Sequence, residues 1–287
     1  MRYQAASDVA EAVSLLAAEK GLSRVLAGGT DVLVQLRSGV VEPDLVVDIK
    51  RIPGMKDIRP EAGGFRIGAA VSGAELGEHA GVRALCPGVV EAAELIGSTQ
   101  IQGRATMVGN LCNASPAADS VPAMAAARAT VRVVGPAGER DVPVLDIPSG
   151  PGQTTLQRGE LVTSVFLPSR PDRSSDAFLR FIPRTEMDIA VVSAGVSLTL
   201  DKDNRIASAH VALGAVAPTV LLVEEAGAAL VGASPDESTL AKLAAACSAA
   251  ARPIDDKRGT VAFRKHTAGV LAVRAAKIAF ERAGGAR

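Results

Sequence analysis

Two adjacent glycines, Gly28 and Gly29, constrain this chain more than any other feature. They separate a short strand-like run, residues 24–27, from one or two helical turns over Val32–Arg37, and a second apolar strand follows at residues 44–49. Strand, glycine turn, helix and strand make a compact β-α-β unit, whose crossover should be right-handed. Backbone without side chains at such a turn approaches phosphate oxygens closely and offers N–H groups near a helix start. Taken alone, however, a plain structural turn explains the pair better. The turn is not G-x-G-x-x-G, and no acidic residue follows a second strand in the ribose-binding position, which argues against a Rossmann site.

A helix should begin at Ser7-Asp8, since Val9, Val13, Leu16 and Ala17 recur with helical spacing, and Gly21 offers a left-handed stop. Met1-Arg2-Tyr3-Gln4 leads straight into that pattern without the apolar core of a secretion signal, so a cytoplasmic location is expected. A hairpin is expected around Ala62-Gly63-Gly64, then a capping box from Ser72 to Glu75, and a helix over 87–96 with Pro87 in its first turn. Residues 122–129 read as an Ala-rich helix, 130–134 and 140–144 as a hairpin, and 161–167 as a strand. The Pro- and Ser-rich segment 168–175 reads as a domain joint. Beyond it, strands are expected at 177–183, 189–200 and 205–215, and helices near 222–230, 238–251 and 260–282. The most apolar stretch, 189–200, is interrupted by Ser193, Gly195, Ser197 and Thr199, and it falls short of the ~18 apolar residues of a membrane span.

At 287 residues the chain suits two or three packed units of ~100–200 residues. Its 31 basic groups balance 31 acidic ones, which removes any reason to expect a nucleic-acid or anionic-membrane surface. Aromatics are only 2% with no tryptophan, leaving little to stack on exposed bases. Cys86, Cys112 and Cys247 are odd in number and far apart, as are His79, His210 and His266, so no disulfide framework and no metal is expected in this chain.

Residues 97–120 hold Gly97, Gly103, Gly109 and Pro116 and show no sustained period of 2 or 3.6. A loop this long in a compact domain is functional or disordered. Its Ile101, Met107, Val108 and Leu111 argue for burial, so something should order it. Thr106 and Asn110 offer a hydroxyl and an amide, Gly109 permits close backbone approach, and Asp119 suits either a ribose hydroxyl or a helix cap, roles that are compatible.

The pairing is what gives these loops meaning. Ala27-Gly28-Gly29-Thr30-Asp31 is followed by Gln100-Ile101, Ala105-Thr106, Gly109-Asn110, Ser115-Pro116 and Asp119, then by Arg252-Pro253-Ile254-Asp255-Asp256, Arg258-Gly259, Phe263-Arg264 and His266. In that order, over nearly the whole chain, they resemble the FAD subunit of the xanthine dehydrogenase and carbon monoxide dehydrogenase group of molybdenum hydroxylases. The resemblance implies an α+β chain with a two-part FAD-binding domain of the vanillyl-alcohol oxidase (PCMH) type, residues 1–55 and 56–170. A C-terminal antiparallel sheet with helices, residues 175–287, would complete it. By the same resemblance the loop of Leu26, Ala27, Gly28, Gly29, Thr30, Asp31 and Val32 wraps the FAD diphosphate through its backbone. Thr106, Gly109, Asn110, Cys112 and Asp119 fall on FAD-contacting positions, Leu161 and Val162 on a strand touching the flavin ring, and Arg180 on a basic position near it. The segment Pro183-Arg184-Thr185-Glu186-Met187-Asp188 matches a loop bordering the flavin and governing acceptor access.

Two residues depart from the family pattern. Val108 replaces the first glycine of a Gly-Gly-Asn, and Ile96 stands where xanthine dehydrogenases place a phenylalanine over the ring, covering it without π-stacking. No nucleophile-and-base arrangement is present, so no catalytic residue is assigned and the chemistry should be the cofactor's. The family implies electron flow from [2Fe–2S] clusters of a small subunit, fed by a large molybdenum–pterin subunit, through FAD to an external acceptor, in a heterotrimer able to dimerise. A self-contained FAD oxidoreductase and an assembly module with a decayed FAD pocket are the competing readings.

Overall fold

The structure, a computed structural model, describes residues 1–185 and 187–285; Glu186, in the segment matched to the flavin-bordering loop, lies outside the described residues. The chain opens with an edge strand that the sequence does not announce, β1 (Arg2–Ala5). Its mostly exposed Arg-Tyr-Gln run carries no apolar alternation, and it becomes a strand only by pairing with a buried neighbour. Asp8 then accepts from the Glu11 N–H to start α1 (Val9–Ala18), which buries Ala12 and Leu16. The expected left-handed stop at Gly21 is absent: α1 ends through extended Glu19, and Gly21 has no positive φ.

Next come β2 (Ser23–Leu26), α2 (Val32–Arg37) and β3 (Leu45–Asp48). They form a parallel sheet of order β1-β3-β2 whose central strand is buried throughout. The Tyr3 hydroxyl donates to Asp48 at 2.7 Å and anchors the edge strand.

The next unit starts with the hairpin β4 (Ile58–Glu61) and β5 (Gly64–Gly68). The expected capping box opens α3 (Gly73–Glu78), with the Ser72 N–H donating to Glu75 at 2.9 Å. Helices α4 (Ala80–Leu85) and α5 (Pro87–Glu94) follow, α5 with Pro87 in its first turn. Residues 97–120, expected as a loop, hold two short helices, α6 (Thr99–Gln102) and α7 (Met107–Cys112), and lead to α8 (Ser120–Ala126). Helices this short complete too few turns to print a 3.6-residue period on the sequence. Beyond α8 lie β6 (Thr130–Gly135), β7 (Gly138–Pro143), the small hairpin β8 (Pro148–Gly150) and β9 (Gln153–Thr154), and β10 (Leu161–Leu167). The five long strands form an antiparallel sheet of order β4-β5-β10-β6-β7.

The last unit is a second antiparallel sheet, β11 (Ser174–Phe181), β12 (Val192–Leu200), β13 (Ile206–Gly214) and β14 (Leu221–Leu222) in that order. It carries α9 (Glu224–Leu230), α10 (Glu237–Ala250) and α11 (Val261–Arg282). Two buried clusters divide the molecule. One joins the first two sheets, with Leu16, Leu45, Ile67, Met124 and Leu161 in common, and the other fills the last unit around Leu198, Leu213, Leu243 and Phe280. Between them, the segment expected as a joint is pinned by a pair 3.2 Å apart, Arg170 and Asp176, whose side chains are 10% and 2% exposed.

Candidate cofactor site

The Gly-Gly turn and the 97–120 segment meet. A Cβ on Gly28 would fall 1.8 Å from the Arg104 carbonyl oxygen, so only glycine lets the two backbones touch, and Gly29 has a φ of +81°. Leu33 N–H bonds to the Gly29 carbonyl at 3.0 Å, but the N–H groups of Gly28, Gly29, Thr30, Asp31 and Val32 meet no acceptor among the described residues. Successive free amides around a glycine turn form an anion-binding concavity.

Opposite, Thr106 caps α7 by accepting from the Gly109 N–H at 2.9 Å. Asn110 Oδ1 accepts from both the N–H (3.0 Å) and the hydroxyl (2.7 Å) of Ser120, fixing α7 against the start of α8. Gln35 donates to Asn113 at 3.2 Å, tying α2 to the end of α7. The walls so fixed enclose a cleft of about 400 Å³, within the range of small-molecule and cofactor sites.

Of the residues singled out from sequence, Ala27, Gly28, Gly29, Thr30, Asp31, Val32, Ile96, Thr106, Gly109, Asn110, Cys112, Leu161 and Val162 line this cleft, as does Val108. Leu26, Asp119 and Arg180 are not on its wall. Leu26 is buried at the end of β2, behind the turn. Sequence reasoning missed Arg24, Gln35, Val41, Asn113, Gly152 and Leu156. Gly152, at a φ of +70°, turns the β8–β9 hairpin and donates its N–H to the Ala114 carbonyl at 3.0 Å, so the hairpin closes one side. Gly150-Pro151-Gly152 was a legible turn signal, but which wall it would join was not.

The cleft's chemistry is that of binding. Burial pushes the Cys112 thiol up to about 12, which keeps it protonated and unreactive. Desolvation also raises the Asp31 carboxyl above its ordinary value, although the residue is exposed at the turn. Asp119 occupies the cap position of α8 without capping it; its Oδ2 accepts from Arg180 at 2.7 Å, while Oδ1 is buried without a partner among the described residues. Burial raises the Asp119 carboxyl to about 6 against the pull of Arg180. Because the folded carboxyl holds its proton more tightly than the unfolded one, its contribution to stability is fully present below the ordinary carboxyl value of 3.8 and is lost as pH rises through about 6. D119N removes that titration. Urea unfolding from pH 4 to 7 should therefore show wild-type stability falling relative to D119N as pH rises, by up to about 3 kcal/mol; parallel profiles would refute the assignment.

A glycine-turn nest over a cleft between a small parallel sheet and a larger antiparallel one defines a binder of a phosphate-bearing organic cofactor. Comparison with known proteins gives the particular kind. Residues 1–170 match the family described as the FAD binding domain in molybdopterin dehydrogenase, and residues 177–279 match the CO dehydrogenase flavoprotein C-terminal domain. The chain belongs to the FAD-binding subunits of the molybdenum hydroxylase family, and it is the flavin-dependent component of an oxidoreductase of the xanthine dehydrogenase type.

It is 32% identical over 281 residues to the carbon monoxide dehydrogenase medium chain of Afipia carboxidovorans, covering 98% of this chain and 97% of that one. It is 29% identical over 285 residues to a putative xanthine dehydrogenase FAD-binding subunit of Escherichia coli K12, covering 99% and 97%. A reconstituted CO dehydrogenase from Oligotropha carboxidovorans superposes with a TM-score of 0.93 at 32% identity, over 98% of each chain. The free amides of residues 28–32 fit the diphosphate of FAD, and the apolar wall of Ile96, Val108, Leu161 and Val162 fits an aromatic ring system. Among the described residues no helix is long and apolar enough to cross a membrane, and no group of three or more His, Cys, Asp or Glu is placed to hold a metal.

Proposed function

We propose that this chain is the electron-transfer subunit of a three-subunit molybdenum hydroxylase. It takes electrons from the [2Fe–2S] clusters of a small partner, supplied in turn by a large molybdenum–pterin partner, and passes them through its FAD to an external acceptor. The observation that carries the reading is the cleft wall of free amides at residues 28–32 joined to the Thr106–Asn110 helix, in a chain whose relatives are named medium chains and FAD-binding subunits.

FAD supplies the chemistry, accepting electrons singly and releasing them as a pair. The protein's part is to bind and orient it. The Gly28–Val32 amides would hold the diphosphate, and Thr106, Gly109, Asn110 and Cys112 the adjoining wall. Ile96, Leu161 and Val162 would bound the ring and exclude water from it. Asp119 and Arg180, paired behind the wall, would hold the cofactor loop against β11, as their 2.7 Å contact supports. The division at residues 1–55, 56–170 and 175–287 and a cytoplasmic location belong to the same proposal.

The purified chain, reconstituted with excess FAD, is expected to show a flavin visible spectrum and to retain it on desalting. A colourless protein would sink the reading. Pull-down from the native host should bring two further subunits, one carrying iron and acid-labile sulfide; isolation as a flavin-loaded chain alone would refute the subunit role.

A further inference from the structure

Asn110 stands in the cleft wall, and one neighbour decides which end of its amide the cleft sees. The oxygen and nitrogen of an asparagine amide are distinguished by the groups they bond to, and at Asn110 the choice is forced. The Ser120 backbone N–H, 3.0 Å away, has only a proton to give, so the atom facing it must be Oδ1. The Ser120 hydroxyl donates to the same oxygen at 2.7 Å and takes up its second lone pair. Nδ2, with its two N–H donors, is thereby turned away from Ser120 and meets no partner among the described residues. The Gln35–Asn113 contact on the same wall carries no such constraint, because two amides meet equally well with both turned round.

Ser120 has no room to move. It is 0% exposed and opens α8, every residue of which is buried. Two glycines of the last unit let the next turn of α8 in. A Cβ on Gly195 of β12 would fall 2.7 Å from the Pro122 carbonyl oxygen, and one on Gly214 of β13 would fall 2.8 Å from the Pro122 ring. Asp119, one residue before Ser120, is held by Arg180 of β11 at 2.7 Å. The second antiparallel sheet therefore seats α8, α8 seats Ser120, and Ser120 sets the Asn110 amide.

The polarity so imposed on Asn110 matches the rest of the wall. Thr106 spends an oxygen lone pair on the Gly109 N–H and keeps its own proton for another acceptor, and the amides of residues 28–32 are free. Donors without acceptors suit an anion. Resting on the proposed function, we infer that Ser120 is a positioning residue for the cofactor, locking Asn110 as a donor to the FAD diphosphate. Through it the last unit, which contributes no residue to the cleft wall, fixes the polarity of that wall.

The test is FAD affinity by flavin fluorescence, read beside the urea midpoint of each flavin-free protein. In N110D a carboxylate keeps both contacts to Ser120 and puts a negative oxygen where the donor was. It should keep the wild-type urea midpoint and weaken FAD binding by ~100-fold or more, since a hydrogen bond to a charged group is lost and a like charge replaces it. S120A should weaken FAD by ~3- to 10-fold, a smaller loss because the backbone N–H still holds Oδ1. A serine that acted only by packing would cost the same with or without Asn110. The S120A penalty should instead vanish when S120A/N110A is compared with N110A, a cycle that decides the matter even where N110D does not fold. Wild-type affinity in N110D or in S120A, or an S120A penalty that persists without Asn110, overturns the inference and leaves the functional reading standing. A wild-type chain that takes up no FAD overturns the functional reading itself.

Discussion

G28A is expected to lose tight FAD binding. The added Cβ would lie 1.8 Å from the Arg104 carbonyl oxygen and 2.7 Å from its carbon, both backbone atoms. That backbone has nowhere to go: Ala105 N–H bonds to the Ile101 carbonyl at 2.8 Å, and the Ala105 carbonyl accepts from Gly73 at 2.8 Å. Either the Gly-Gly turn or the start of α7 must move, and together they make the cleft. Overpacking of this kind costs ~1–3 kcal/mol, and displacement of the free amides adds to it, so FAD affinity should fall by ~100-fold or more. Flavin fluorescence titration reads this directly. G103A is the control, because a Cβ there meets only one atom, at 4.0 Å; equal affinity of G28A and wild type would remove the turn from the site.

R264L should produce the largest loss of stability. The side chain is 4% exposed and holds Asp256, Val191 and Gly259. Removing it leaves the Val191 carbonyl without this donor and Asp256 with only the more distant Arg258, 3.9 Å away. Leaving a buried carbonyl without its donor costs about 1–3 kcal/mol. R264K keeps the charge but not the planar fork that reaches two partners at once, so it should fall between wild type and R264L. Urea unfolding measures the order, and its expected sequence is wild type, R264K, R264L. An R264L protein as stable as wild type would mean that the linker before α11, residues 252–260, is held by Thr260 capping and backbone bonds alone.

These two residues show what kinds of information the chain carries openly. Gly28 and Gly29 were legible as a turn, because two residues without a Cβ between an apolar strand and a helix free the backbone to reverse and weaken either element if placed inside it. Why position 28 admits only glycine was not legible, since it depends on Arg104, 76 positions away, occupying the space a Cβ would need. Arg264 was legible only as part of the C-terminal signature. In the structure it is a buried clamp between the linker and β12.

Local rules succeeded wherever one element satisfied itself. The Ser72–Glu75 capping box, the Asp8 start of α1, the strand at 161–167 and the strand expected at 189–200 and found at 192–200 follow from short-range hydrogen bonds or from largely apolar runs. They failed where stability comes from a neighbour. β1 exists because β3 offers it an edge, and α6 and α7 are too short to be stable or periodic alone. The β8–β9 hairpin closes the cleft through a bond to Ala114.

The order of residues was enough to set the kind of molecule: an α+β flavin-binding chain with its glycine turn and Thr106–Asn110 segment already identified, because motif order and turn chemistry are local and survive distant divergence. Which of those residues share a wall was settled by folding in three dimensions. It put Asp119 and Arg180 behind the cleft as a 2.7 Å pair and tied the Asn110 amide oxygen to a fully buried Ser120. Burial and proximity are properties of packed surfaces rather than of chain order, and packing between segments distant in the chain leaves no period for a linear reading to find.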